Sequence, residues 1–382
     1  MTTHVHPGDG SLAPASELTI TSALTDPQKE RARPTPKPPA MKPRDRVIAA
    51  LNFQPPDLVP LECHPSTAGL YEHGEKLQTL FRQHPHDFGD FSNLPLPAPD
   101  PQFIGPDGSY SELRTDAWGV QWRHLIYGVA GHPEVRPLDD WANLPDWKVP
   151  TPPSLSGPDF EAAKANAARH REQYYLKAGW GGIFETMIGV RRFEDVLMDI
   201  ALNTREINYL ADMITEYQTE VLRYMLAVGA DGLQMGDDFG TQEALLLSRH
   251  TWHRFFAPRY EKLLEPARAA GVDILFHTCG QVCELLPDLA DLGCKGIWPQ
   301  INLFDWPSFA ARCRELKLAV ALHPERSHIM TFGTPDDVRR HIHALAEAFL
   351  PQEGGSWFYL EIDNGFPLAN VEAMFEAVAE YR

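Results

Sequence analysis

The sequence predicts an α/β fold, a single (β/α)8 barrel of the TIM type, and three observations lead there. From residue 179 onward short apolar strands alternate with helical patterns, the rhythm of a parallel sheet with right-handed crossovers. No glycine-rich phosphate turn follows an early strand, as an open doubly wound sheet would want. Acidic, His and Cys side chains recur where strands end, the rim on which barrels place their chemistry.

Taken in order, residues 1–40 hold seven prolines and no amphipathic period. Such a segment buries too little apolar surface to offset its ordering entropy, so a disordered tail is expected. The barrel domain is expected over residues 41–382, opening with a short helix over Arg44–Leu51 and a strand around Leu58–Leu61. Residues 85–160 are irregular and Pro-rich, with strand-like patterning from Ala117 to Tyr127. They read as a β-hairpin excursion, being too short and too Pro-rich for a core of their own. The strands that follow are expected at Gly182–Thr186, Asp231–Met235, Val272–His277, Gly296–Trp298, Leu318–Leu322 and Trp357–Ile362. Between the first two, Ile207, Leu210, Ile214, Tyr217, Val221, Met225 and Val228 are spaced by threes and fours, a helix. Ser248 is the N-cap of another helix, which Pro258 kinks or restarts. Thr334-Pro335-Asp336-Asp337 starts a third, with proline at its first position and acids in its first turn. The last covers Leu368–Tyr381.

The net charge is −18, from 34 basic and 52 acidic side chains. A field of that sign repels phosphate backbones and anionic membrane surfaces, which argues against nucleic acid and lipid as partners. No apolar run approaches the ~20 residues that cross a bilayer, and no secretory signal is visible, so a cytoplasmic protein is the default. The five cysteines, Cys63, Cys279, Cys283, Cys294 and Cys313, are odd in number and read as free thiols or metal ligands.

The strand ends supply the candidates. His277-x-Cys279 offers an imidazole and a thiolate, a donor pair suited to Zn²⁺; the alternative is a hydrogen-bonded His beside a buried free Cys. The two side chains converge only if a turn at Thr278 brings them together. Asp237 and Asp238 are candidate catalytic carboxylates, as general base, substrate ligand or metal ligand; adjacent strand residues face opposite sides, so one alone would point inward. Their other reading is a turn in which one acid caps the next helix. Glu185 is a third catalytic candidate, or else a partner of Arg191 and Arg192. Glu361 and Asp363 share a face of the final strand, and either could complete a metal site as an oxygen donor. Gln300 and His323 also end strands, and Cys63-His64 is a weaker candidate for the same rim. Cys283 reads as core, and Cys294 and Cys313 lie away from the mouth.

These residues resemble the uroporphyrinogen decarboxylase superfamily, from about Pro43 to the C-terminus. The signposts are Lys42-Pro43-Arg44-Asp45-Arg46, Gly182–Gly189 with Phe193-Glu194, Asp237-Asp238-Phe239-Gly240, and Phe256-x-Pro258-Arg259-Tyr260. His277-Thr278-Cys279-Gly280, Phe332-Gly333-Thr334-Pro335 and Gly365-Phe366-Pro367-Leu368-x-Asn370-Val371 complete them. The resemblance implies a (β/α)8 barrel and one of two chemistries. True decarboxylases hold an octa-carboxylate porphyrinogen with an arginine-rich loop after the first strand. Here that place reads Cys63-His64-Pro65-Ser66-Thr67-Ala68-Gly69, without arginine, poorly made for an octa-anion.

The methyltransferase branch carries the His-x-Cys zinc motif, and His277 and Cys279 match it. The resemblance then implies zinc-dependent methyl transfer between a small methylated substrate or thiol and a corrinoid. No stretch resembles a corrinoid-binding domain, so the corrinoid would arrive on a separate partner protein. That branch takes a third cysteine ligand after the last strand, where this chain has Asp363-Asn364-Gly365. Glu361 or Asp363 substitutes, another rim residue does, or the site is lost. The alternatives are a metal-free carboxy-lyase acting on a small acid through Asp237 or Asp238, and a silent barrel that only binds.

Overall fold

In the computed structural model, which describes residues 40–382, ten strands follow in chain order. They are β1 (Leu61–Pro65), β2 (Glu112–Thr115), β3 (Gln121–His124), β4 (His132–Val135) and β5 (Lys177–Ala178), then β6 (Gly232–Gly236), β7 (Asp273–Thr278), β8 (Gly296–Pro299), β9 (Ala319–Leu322) and β10 (Ser356–Ile362). Seven of them form one sheet in the order β1-β10-β9-β8-β7-β6-β5, and every pairing in it is parallel. The expected tail falls on residues 1–39, outside those described, and on Ala40.

Alternation along the strands gives the sheet two faces. Leu275, Ala319, Ala321, Trp357 and Tyr359 form one cluster with Phe88 and Tyr175, and the first helix, α1 (Pro43–Leu51), adds Val47 and Leu51 to it. Their strand neighbours Phe276, Val320, Leu322, Phe358 and Leu360 belong instead to the large cluster shared with the helices. The small cluster is the barrel interior. The ring is not closed by a strand ladder, because among the described residues β1 and β5 share none. Asp87 bridges the gap, its N–H donating to Leu61 O at 2.9 Å and its C=O accepting from Tyr175 N–H at 3.1 Å. Lys177 of β5 also pairs with Glu62 of β1, and Trp357 Nε1 donates to the other Glu62 oxygen at 3.0 Å. The expected eight strands are therefore seven, with a seam.

The missing ladder goes with a misread element. The segment Gly182–Thr186 is no strand: it opens α4 (Ile183–Val190), which buries Ile183, Phe184, Met187 and Val190. An apolar run buried on several sides carries no period that separates helix from strand. The helix is fixed at its start by Asp237, whose carboxylate accepts from the backbone N–H groups of Ile183, Phe184 and Glu185 at 2.8–2.9 Å.

The excursion before the seam holds three antiparallel strands, β2-β3-β4, where the sequence suggested two. It is followed by α3 (Pro158–Arg171). The long α6 (Arg205–Val228) is capped by Thr204, whose side chain accepts from Ile207 N–H, and ends at Gly229 with φ 101°, a conformation that favours glycine. Its buried stripe runs through Ile207, Leu210, Ile214, Gln218 and Leu222, not through Val221 and Met225. Ser248 caps α7 (Arg249–Phe255), and Pro258 restarts the chain as α8 (Ala257–Ala270). Thr334 and Asp337 form a reciprocal capping box on α11 (Pro335–Phe349). No helix among the described residues is long and apolar enough to cross a membrane.

Candidate metal centre and adjoining cavity

β6 and β7 lie side by side, with Gly236 opposite His277, so the residues that leave these strands leave together. β7 continues through Thr278, and His277 and Cys279 therefore project from one face. The two loops are then locked back to back. Gly240 N–H donates to Cys279 O at 3.1 Å and Gln281 N–H to Thr241 O at 2.7 Å. A Cβ on Gly280 would lie 2.1 Å from the Gly240 carbonyl carbon, so only glycine lets the backbones touch.

This places Asp238, His277 and Cys279 in one group whose ligand atoms all lie within 4.8 Å of one another. His277 Nε2 lies 3.5 Å from Cys279 Sγ and 3.3 Å from Asp238 Oδ1. Donors ~2.0–2.3 Å from one tetrahedral zinc stand roughly 3.3–3.8 Å apart, so the spacing fits. The tautomer fits too: His277 Nδ1 lies 2.8 Å from Trp298 O, and donating that proton leaves Nε2 as a free lone pair. Burial, then the Asp238 carboxylate, pushes the Cys279 thiol up to about 12, so a thiolate there needs a compensating cation. Burial raises the Asp238 carboxyl, but the neighbouring His277 and Cys279 outweigh it and hold the group below its ordinary value.

The third member of the group is Asp238, which the sequence placed among catalytic candidates. Glu361 and Asp363 stand outside the group and are engaged elsewhere: Arg326 Nη1 reaches Glu361 at 2.9 Å and Asp363 at 3.2 Å. Glu361 still lines, with His277, Cys279 and His323, a small cavity of about 90 Å³. Burial raises its carboxyl to about 7 against the pull of Arg326. Glu185, in the first turn of α4, is also raised to about 7, by burial and then by Asp237 and Asp238. Asp237 is fully buried. Besides capping α4 it accepts from the Tyr260 hydroxyl, which makes it a structural cap of the helix before it in the chain.

The remaining candidates divide. Gln300 Oε1 accepts from Gly280 N–H at 3.2 Å and braces the loop. His323 is buried, with Nε2 2.9 Å from Pro299 O, and burial lowers its pKa to about 4. Cys294 and Cys313 are buried, whereas Cys283 is exposed, contrary to its reading as core. It opens a 3-10 turn, Cys283–Leu285, that buries Leu285 and runs directly into the helix Leu286–Asp291.

A second cavity of about 510 Å³ lies at the seam, lined by Glu62, Cys63, His64, Lys177 and the rings of Phe88, Phe91, Trp180, Trp298 and Tyr359. Trp298 lines both cavities, its ring centroid 4.0 Å from that of His277. Sequence reasoning missed Lys177, Trp180 and Tyr359. A two-residue strand leaves no period, and an inward aromatic looks like any core residue.

A family model described as "Uroporphyrinogen decarboxylase (URO-D)" matches residues 124–381, more than half of the chain. No curated protein matches the sequence. Among solved structures, a methyltransferase from Methanosarcina mazei is similar with TM-score 0.57 and 18% identity, over 89% of this chain and 99% of that one. A B12-independent methionine synthase from Shewanella sp. W3-18-1, in complex with selenomethionine, aligns at TM-score 0.38 and 12% identity, over 70% of this chain and 72% of that one. At these identities the first likeness is one of fold, and the second carries no weight.

Proposed function

Because this chain belongs to the uroporphyrinogen decarboxylase family, we propose that it is an enzyme of the family's methyl-transferring kind. It would move a methyl group between a small methylated substrate or thiol and a corrinoid carried on a separate protein. The observation that carries this reading is the convergence of Asp238, His277 and Cys279. One nitrogen, one sulfur and one oxygen donor leave a fourth position for substrate, as catalytic zinc sites do. Zinc held there supplies a Lewis acid that lowers the pKa of a bound thiol or polarises a methyl-bearing oxygen. The harder oxygen donor favours the oxygen-bound methyl group.

The chain's own groups do the rest. Trp298 O fixes the His277 ring, and the locked glycine pair keeps Asp238 and Cys279 in register with it. Glu185, near neutrality and close enough to feel the Asp238 charge, can hold or release a proton as the substrate heteroatom loses its methyl group. A cavity of about 510 Å³ suits a small substrate. The carboxy-lyase reading keeps one observation in its favour: Glu185 and Glu361 both titrate near neutrality and could protonate a carbanion. CO₂ release from an acid by metal-free protein would promote it.

The test is elemental analysis of protein purified without added metal. About one zinc per chain is expected. Cys279→Ser and Asp238→Asn should each lose most of it with the fold intact, while Glu361→Gln and Asp363→Asn retain it. Native protein without zinc, or full occupancy in both Cys279→Ser and Asp238→Asn, would sink the reading.

A further inference from the structure

The seam cavity carries its own statement about the substrate. Its walls are aromatic: Phe88, Phe91, Trp180, Trp298 and Tyr359 all line it, and the Trp180 and Trp298 rings stand edge to face at 6.2 Å. Flat walls of this kind select a flat ligand. The volume of about 510 Å³ holds one substituted ring and falls inside the range of small-molecule pockets.

Charge then selects the sign. Aromatic faces attract cations, but here the chain supplies the cation itself. Lys177 Nζ lies 5.9 Å from the Phe88 ring centroid and 5.3 Å from that of Tyr359. A methylammonium ligand would meet the like charge of Lys177, which already occupies the Phe88 and Tyr359 faces. Glu62 offers such a ligand nothing, because one of its oxygens is taken by Lys177 and the other by Trp357 Nε1. Lys177 has three N–H donors and gives Glu62 only part of them. Tyr359 and Trp298, residues that carry a hydroxyl and an indole N–H, belong to the same lining. Gln234 adds an amide to the lining, its Nε2 spent on Met235 O, so the charged donor that remains is Lys177, and a charged donor binds an anionic oxygen.

We propose that the seam cavity is a subsite for a single-ring aromatic carboxylate, its ring against Trp180 and Trp298 and its acid group on Lys177. The proposal rests on the methyl-transfer reading only in taking this cavity as the one that holds the substrate. Trp298 links the two places, since its ring lines the cavity and its carbonyl orients His277.

Isothermal titration of the full chain with 4-methoxybenzoate tests this, with anisole and phenyltrimethylammonium as comparators. The acid should bind about tenfold or more tighter than either, the worth of one charge-assisted hydrogen bond. Lys177→Met should abolish that preference. Because it strands a buried carboxylate, the double variant Lys177→Met/Glu62→Gln is measured too, and should bind acid and anisole alike. Trp180→Ala should weaken both ligands together. Acid that binds no better than anisole, a preference for the ammonium ion, or an acid preference kept in the double variant would overturn the proposal. Zinc is measured on the same samples. Zinc-loaded protein that ignores the acid defeats the subsite alone, and zinc-free native protein that binds it defeats the metal reading alone.

Discussion

His86 is buried between the rings of Phe81 and Phe91, with neither ring nitrogen hydrogen-bonded among the described residues. Burial, helped by the Arg382 charge, lowers its pKa to about 4. The unfolded chain therefore takes up a proton near pH 6.5 that the folded chain refuses until about pH 4. The stability this gives is complete above pH 6.5 and drains away as pH falls toward 4, on the order of 2 kcal/mol at pH 4.5. Melting curves across that window should show the loss in the native protein and a much shallower one in His86→Leu. An equal slope in both would assign acid sensitivity to other groups. The metal candidates illustrate how far single residues can be read. His277 and Cys279 were legible from their two-residue spacing at a strand end. Asp238 was visible as a rim acid, but its role depends on the register between β6 and β7, which no local pattern records. Glu361 and Asp363 looked equivalent to it until Arg326, from a different loop, took both.

Among the elements, capped and periodic helices were legible because their signals are local: Thr334 with Asp337, Ser248, and the spacing of α6. α4 was not, because what starts it is a carboxylate about fifty residues further along the chain. That cap is also a point of weakness. Asp237 satisfies three backbone N–H groups and the Tyr260 hydroxyl inside the core. Asp237→Ala leaves those donors buried without a partner and should cost on the order of 3 kcal/mol, read by urea denaturation. Thr334→Ala, which removes a cap at the surface, should cost about 1 kcal/mol. Equal costs would mean that the Asp237 contacts contribute no more than an ordinary exposed cap.

At the scale of the whole molecule, strand–helix alternation announced the barrel, and the count of strands was what it could not settle. β5 is two residues long and stops at Gly179-Trp180-Gly181-Gly182, too short for any pattern. Elsewhere the ring is tied by buried charge. Asp87 holds Arg46 from α1 and, at 2.6 Å, Arg382 from the chain's end, while accepting from the Leu61 N–H of β1 at 2.7 Å. The seam differs from the rest of the wall in how it opens. Parting two strands inside the ring breaks a ladder of amide bonds at once, a cooperative event, whereas parting β1 from β5 breaks the two amide bonds that run through Asp87 and the Lys177–Glu62 pair. Local opening thus concentrates on one side of the ring, and native-state hydrogen exchange should report it. The amides of Lys177 and Ala178 should exchange well before those of Leu275 and Phe276, which lie between two paired neighbours. Exchange at equal rates would mean that the ring breathes as one body. Uneven exchange would make it a clip, hinged through its long wall and sprung at the place where the seam cavity lies.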